Sequence, residues 1–315
     1  MPPRLTSSLR FPILRRLYST AADSGPLIRV TNLPASGSGH VRVLELNRPS
    51  ARNAISRSLL AALRAEVDDL HKQYTSEGNE TPHATATSDG PTRALVLASA
   101  VDQSFCAGAD LKERKTFTQK DTADFLFNIR ETFNLISALP IPSICAISSL
   151  AFGGGLELAL TTDLRVFSSN AVVGLTETRL GIIPGGGGCH RLPPLIGPSR
   201  SRDVILTGRR VPAPEAYFLG IADRLVEVKP EEVPAGGDKK DILPLARKAA
   251  LNEAVRLAQE ICEGAPIAIR ASLEAARWST EAKENEMSSR VVVTEDRNEA
   301  LRAFAEKRKP VFKGH

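Results

Sequence analysis

The 315-residue chain lacks any run of about 18 uninterrupted apolar residues, so no membrane-crossing helix and no membrane insertion are expected. It has few cysteines: Cys106, Cys145, Cys189 and Cys262 are widely spaced and form no CxxC pair. That argues against a zinc site or a disulfide framework and favours a reducing compartment. Five histidines, His40, His71, His83, His190 and His315, lie mostly in loop or polar settings, and no Ser/His/Asp pattern emerges. The glycine run at 185–188 lacks the GK[ST] of a nucleotide-binding P-loop. Acid is missing from the first 22 residues, whereas Arg4, Arg10, Arg15 and Arg16 all fall there.

That leader is also Ser-rich and sets Phe11, Ile13, Leu14 and Leu17 among the arginines, the composition of a mitochondrial presequence. "RRLYST" offers a cut after Tyr18, which makes residues 1–18 the expected presequence. The formal net charge is +5, and removing those four arginines leaves the remainder close to neutral. A general nucleic-acid footprint then has little charge behind it.

With 42% apolar residues the chain supports a sizeable core, as one large domain or two modest ones. "LIRVTNL" (27–33) and "HVRVLEL" (40–46) read as two strands joined by a Pro/Gly/Ser turn. Ile55, Leu59, Leu60, Leu63, Val67 and Leu70 recur at helical spacing, with Asn53 or Ser56 as the cap. The polar stretch 75–92 reads as a mobile surface loop. Strand 93–99, helix 122–139, strand 142–148, a helix opened by glycines and strand 163–169 complete an α/β layout. Beyond residue 197 the pattern turns mostly helical, with a charged loop at 230–241, a long helix at 245–262 and a basic closing helix and tail.

Chemistry concentrates in three places. "FCAGADLKER" (105–114) carries a small-residue turn, Ala107-Gly108-Ala109, where a ligand can approach main-chain N–H groups. "AFGGGLELAL" (151–160) presents Gly153, Gly154 and Gly155 at a helix start, where unpaired donors and the helix dipole favour negative charge. Two such turns facing each other supply two N–H groups to a developing oxyanion. Glu157 follows the triplet in an apolar context, and Glu177 lies in "VGLTETRLGIIPGGGG" (173–188). Two carboxylates beside an oxyanion hole suit proton transfer next to an activated carbonyl. Each also has a plain alternative: Glu157 as a dipole partner of its helix, and Glu177 as an ion-pair partner of Arg179.

In order and at these spacings, "FCAGADLKE", "LAFGGGLELALTTDLRV" and "GLTETRLGIIPGGGGCHRL" resemble the successive signatures of the crotonase, or enoyl-CoA hydratase/isomerase, superfamily. "NRPSARNAIS" and "AFAEKRKPVFKG" are similar to its ends, so the resemblance spans about residues 27–314. The variant with "CAGADLKER" and "IIPGGGG" is closest to the branch acting on 3-methylglutaconyl-CoA.

The resemblance implies a crotonase-type ββα spiral over 27–228 and a helical C-terminal trimerisation region over 242–315. It places the oxyanion donors on the N–H groups of Ala109 and Gly154 and the catalytic acids on Glu157 and Glu177. It places CoA contacts on Ala51, Arg52, Ala107, Asp110, Leu111 and Lys112, with Lys307 at the nucleotide phosphates. It implies no metal and no cofactor, coenzyme A being part of the acyl-CoA substrate. The partner expected is a second copy of the chain, as a dimer of trimers, in the mitochondrial matrix. Retention of both acids favours hydration over double-bond migration, with leucine breakdown as the setting and a general short-chain enoyl-CoA hydratase as the alternative. A relative in this branch binds AU-rich RNA through a lysine-rich face of the first helix. Here Arg52, Arg57 and Arg64 form only a sparse line interrupted by Ala61 and Ala62, so RNA binding with secondary hydratase activity is disfavoured against a solvated face.

Overall fold

The computed structural model describes residues 25–85, 89–228 and 242–315. The presequence at 1–18 and the charged loop at 230–241 lie outside the described residues.

Two sheets organise the chain. The larger runs β1 (Ile28–Pro34), β2 (His40–Leu46), β3 (Thr92–Ser99), β5 (Ser143–Ile147), β7 (Leu164–Ser168) and β10 (Arg224–Val226), in that spatial order. β1 and β2 are the two strands expected on either side of the Pro/Gly/Ser turn and pair antiparallel, and the remaining pairs are parallel. The smaller sheet holds β4 (Ser104–Cys106), β6 (Leu150–Phe152), β8 (Val172–Gly174) and β9 (Val211–Pro212). β3 leads to β4, β5 to β6 and β7 to β8, so each turn of the spiral lays one long strand in the first sheet and one short strand in the second. Helices α3 (Leu111–Arg114) and α4 (Gln119–Ser137) follow β4, α5 (Gly154–Ala159) follows β6, and α6 (Gly188–Ile196), α7 (Pro198–Thr207) and α8 (Ala213–Leu219) lie between β8 and β10.

β2, β3 and β5 are buried on both faces. One face, with Leu44, Leu46, Leu95, Leu97, Ile147 and Phe167, packs on the second sheet, α4 and α1 (Arg57–Lys72). α1 buries Leu59, Leu60, Leu63, Val67 and Leu70, the stripe its spacing predicts. Ser56 is its cap, accepting from the Leu59 N–H. Asn53 instead ties loops together, its Nδ2 donating to Ser99 Oγ at 2.8 Å and to the Phe105 carbonyl at 2.9 Å. The other sheet face, with Val41, Val43, Val96, Ile144 and Val166, is covered by Ala250, Leu251, Ala254 and Ala258 of α9 (Ile242–Ile261). α9 is thus a layer of the core, and α10 (Pro266–Trp278), α11 (Glu281–Val291) and α12 (Glu295–Ala305) extend from it. No helix among the described residues is long and apolar enough to cross a membrane.

The segment 75–92 departs from the loop expected of it. Tyr74 and Glu80 form a β-bridge, Pro82–Thr85 make one helical turn (α2), and Gly78 and Ala84 are buried. Glu80 pairs with Arg93 of β3 and, at 3.1 Å, with Arg270 of α10. Both guanidinium groups are buried, so the segment is held by charge pairing in the interior, which low apolar content does not reveal.

Candidate active site

The short strands β4, β6 and β8 are parallel neighbours, with Cys106 paired to Ala151 and Phe152 to Gly174. Their carboxyl ends therefore open onto one place, as ligand sites do in parallel sheets. Each strand hands over one functional piece there: Ala107-Gly108-Ala109 after β4, Gly153-Gly154 after β6, and Leu175-Thr176-Glu177 after β8. Together with α3, α4 and residues 180–186 they line a cavity of about 350 Å³.

The two glycine turns touch. A Cβ on Gly108 would lie 3.6 Å from the Gly154 nitrogen, and one on Gly154 would lie 3.6 Å from the Ala109 nitrogen. Gly154 opens α5, so its N–H has no intrahelical acceptor, and the Ala109 N–H donates to no group among the described residues. The neighbours hold the turn instead: Ile55 N–H donates to the Gly108 carbonyl and Asp110 N–H to the Ile55 carbonyl. Ala109 and Gly154 both line the cavity, so two adjacent donors are left at its wall.

Glu157 and Glu177 both line this cavity and are 3% and 7% exposed. Glu157 sits in the first turn of α5, and its Oε1 accepts from the N–H groups of Gly186 and Gly188, each at 2.8 Å. Burial raises its pKa, and those N–H groups oppose the rise by favouring the carboxylate. Glu177 opens a 3-10 turn, Glu177–Leu180. Its Oε2 is buried without a hydrogen-bond partner, and its carboxyl abuts Gly153, where a Cβ would stand 2.9 Å from Oε1. Burial, and then the nearby Glu157 charge, push Glu177 up to about 7. Arg179 does not pair with it, its Nε donating to the Thr207 carbonyl at 2.7 Å. The site thus holds one carboxyl tied to two main-chain N–H groups, one carboxyl pushed up to about 7 with an unpaired oxygen, and two N–H donors without an acceptor among the described residues.

Ala107 and Leu111 also line the cavity. Asp110 does not; it caps α3, accepting from Lys112 and Glu113, and pairs with Arg48 at 2.7 Å. Ala51, Arg52, Lys112 and Lys307 lie outside the lining, although the Arg52 carbonyl accepts from Ala107 N–H and so fixes the first turn. Sequence reasoning missed the pair of N–H groups that holds Glu157. Its signal was the run at 185–188, whose glycines bring main chain against the carboxylate: a Cβ on Gly186 would lie 2.8 Å from Glu157 Oε2. It also missed Arg114 and Arg130, which line the cavity.

The profile of the enoyl-CoA hydratase/isomerase family matches residues 36–315. A relative from Pyricularia oryzae, named methylglutaconyl-CoA hydratase 1, mitochondrial, is 62% identical over 314 aligned residues, covering 95% of this chain and 90% of its own. The human mitochondrial methylglutaconyl-CoA hydratase is 37% identical, with 96% of this chain and 82% of that one covered. The crystal structure of an enoyl-CoA hydratase from Bacillus anthracis superposes with a TM-score of 0.75 at 33% identity, over 92% of this chain and 100% of that one. With two glycine turns and two buried glutamates gathered on one ββα spiral, and relatives similar along almost its full length, this chain belongs to the enoyl-CoA hydratase/isomerase family and has the crotonase fold.

Proposed function

We propose that the protein is a mitochondrial hydro-lyase that adds water reversibly across the double bond of 3-methylglutaconyl-CoA, giving 3-hydroxy-3-methylglutaryl-CoA in leucine breakdown. The thioester oxygen sits between the N–H groups of Ala109 and Gly154, which stabilise the negative charge it gains. Glu157, as carboxylate, takes a proton from water while the water oxygen bonds to C3. The electron pair of the double bond moves to C2 and the thioester, and Glu177, as acid, gives its proton to C2. The proton left on Glu157 returns to Glu177 through solvent once product leaves. The observation that carries this reading is the opposite treatment of the two carboxyls, Glu157 accepting two N–H groups and Glu177 left unpaired at Oε2. Moving a double bond needs one base; adding water needs a base and an acid together.

The names of the fungal and human relatives support the substrate and the mitochondrial setting, and the acid-free leader supports import to the matrix. Ala51, Arg52, Ala107, Asp110, Leu111 and Lys112 flank the CoA arm, with Lys307 at its phosphates. Exposed Trp278, Val293, Leu301 and Phe304 of the C-terminal region support assembly through trimers into a dimer of trimers. A monomer by light scattering would overturn that assembly, and an uncut Met1 in protein from mitochondria would overturn the presequence. Initial rates on 3-methylglutaconyl-CoA and crotonyl-CoA test the activity. Wild type is expected to prefer the former, and Glu157→Gln and Glu177→Gln are each expected to lower kcat by about 10²-fold or more with the fold intact. Near-wild-type turnover in either variant refutes that residue's role.

A further inference from the structure

Two cationic side chains line the cavity among the described residues, Arg114 and Arg130, and they are not equivalent. Arg130 is exposed, and its Nε donates at 2.8 Å to the carbonyl of Gly185, next to the Gly186 whose N–H holds Glu157. Its guanidinium therefore braces the catalytic turn. Arg114 is half-buried, and its side chain makes no hydrogen bond or ion pair among the described residues. A half-buried guanidinium presents up to five N–H donors and no acceptor, so it is available to an anionic group that enters the cavity.

α3 sets its direction. Leu111 and Arg114 are three residues apart, share one face and both line the cavity; Lys112, two residues before Arg114, points elsewhere and does not. The cavity is also lined by Thr122, Phe125, Leu126 and Ile129 of α4, of which Leu126 and Ile129 lie against Gly185 and Gly186. A Cβ on Gly185 would meet Leu126 at 3.1 Å, and one on Gly186 would meet Ile129 at 3.1 Å. Arg114 thus lines the same cavity as Glu157 and Glu177, five residues past the Ala109 donor, with apolar side chains of α4 in the same lining.

We propose that Arg114 binds the distal carboxylate of a dicarboxylic enoyl-CoA and so sets the acyl specificity of the site. This rests on the reading of the protein as a hydratase of 3-methylglutaconyl-CoA. A guanidinium receives a carboxylate through two parallel N–H···O bonds, and a monocarboxylic acyl chain offers it nothing.

Arg114→Gln is expected to lower kcat/KM for 3-methylglutaconyl-CoA about 100-fold while crotonyl-CoA stays within about threefold, with the loss mostly in KM. Arg114→Lys should recover part of it. Arg130→Gln should depress both substrates alike, through Glu157. Calorimetry with the unreactive esters glutaryl-CoA and butyryl-CoA reads the same contact without turnover: wild type should favour glutaryl-CoA, and Arg114→Gln should lose that preference. Equal loss on both esters would make Arg114 a CoA contact, and no loss would place the carboxylate elsewhere; either overturns the proposal. Wild type that hydrates crotonyl-CoA but neither turns over 3-methylglutaconyl-CoA nor favours glutaryl-CoA sinks the substrate reading and Arg114's role together. Wild type that does both, with an Arg114→Gln that keeps the preference, sinks only Arg114's role.

Discussion

Glu157 and Glu177 carry the same functional group, and their surroundings give them different proton affinities. Both are desolvated, but two main-chain N–H groups compensate Glu157 whereas Glu177 has none at Oε2 and faces the Glu157 charge. The ordinary value for Glu177 is 4.5, and it rises to about 7 in the folded protein. The folded state therefore holds a proton between those limits that the unfolded state has released. Stability from this group is full below 4.5, falls as pH rises towards 7, and is flat beyond, a loss of at most about 3 kcal/mol. Glu177→Gln, which is neutral at all pH, should be more stable than wild type at pH 8 and lose that advantage by pH 5. Urea denaturation at both pH values checks it, and an equal difference at the two would remove the protonated Glu177. In the free wild-type enzyme, kcat/KM for hydration should fall as pH rises through about 7, when the acid loses its proton.

At the scale of elements, the three glycines at the start of α5 serve three different purposes. Gly153 sits at φ 51°, ψ −123°, with the Glu177 carboxyl where a side chain would go. Gly154 offers its N–H to the cavity. Gly155 packs where a Cβ would fall 2.2 Å from the Cys106 carbonyl oxygen, so β4 and α5 approach too closely for any other residue. Gly154→Pro removes the donor at the first helical position, the place where α-helices tolerate proline. With circular dichroism and oligomer size unchanged, kcat should fall by about 10²–10³-fold, the value of one oxyanion donor. A folded variant at the wild-type rate would show that the Gly154 N–H donates to nothing that matters.

Across the whole molecule, the segment 75–92 joins the sheet to the C-terminal helices. Glu80 bridges Arg93 and Arg270, whose side chains are 5% and 7% exposed. Arg93 also donates from Nη2 to Ser38 Oγ at 2.7 Å, and the tail is fastened nearby by Asp296, which accepts from the Lys313 and Gly314 N–H groups. Glu80→Ala should leave two buried guanidinium groups without their carboxylate and cost about 3 kcal/mol in urea denaturation. The same change combined with Arg270→Met should cost less than the sum of the two single variants. A loss under about 0.5 kcal/mol for Glu80→Ala would mean that the cluster is solvated and the segment does not dock the helices.

The sequence alone determined the elements whose signal is periodic or compositional. The stripe on α1, the doubly buried strands and the glycine turns followed by acids are local patterns, set by which face must leave water and by which residues expose main chain. The family motifs carried Ala109, Gly154, Glu157 and Glu177 into one reading because their order is fixed along the chain. Tertiary structure alone decided what those groups meet. The N–H groups on Glu157 come from 29 and 31 residues away, and whether Asn53 or Ser56 capped α1 depended on Ser99 and Phe105 far along the chain. Lys112 and Arg114 look alike in "DLKER", yet in the single turn of α3 Arg114 lines the cavity and Lys112 does not. Segment 75–92 read as a surface loop because it is polar and low in apolar content, whereas the fold supplies Glu80 with partners from β3 and α10. Local pattern fixes which residues are buried, whereas proton affinity, donor geometry and charge pairing depend on distant chain brought close, and only the packed fold brings it there.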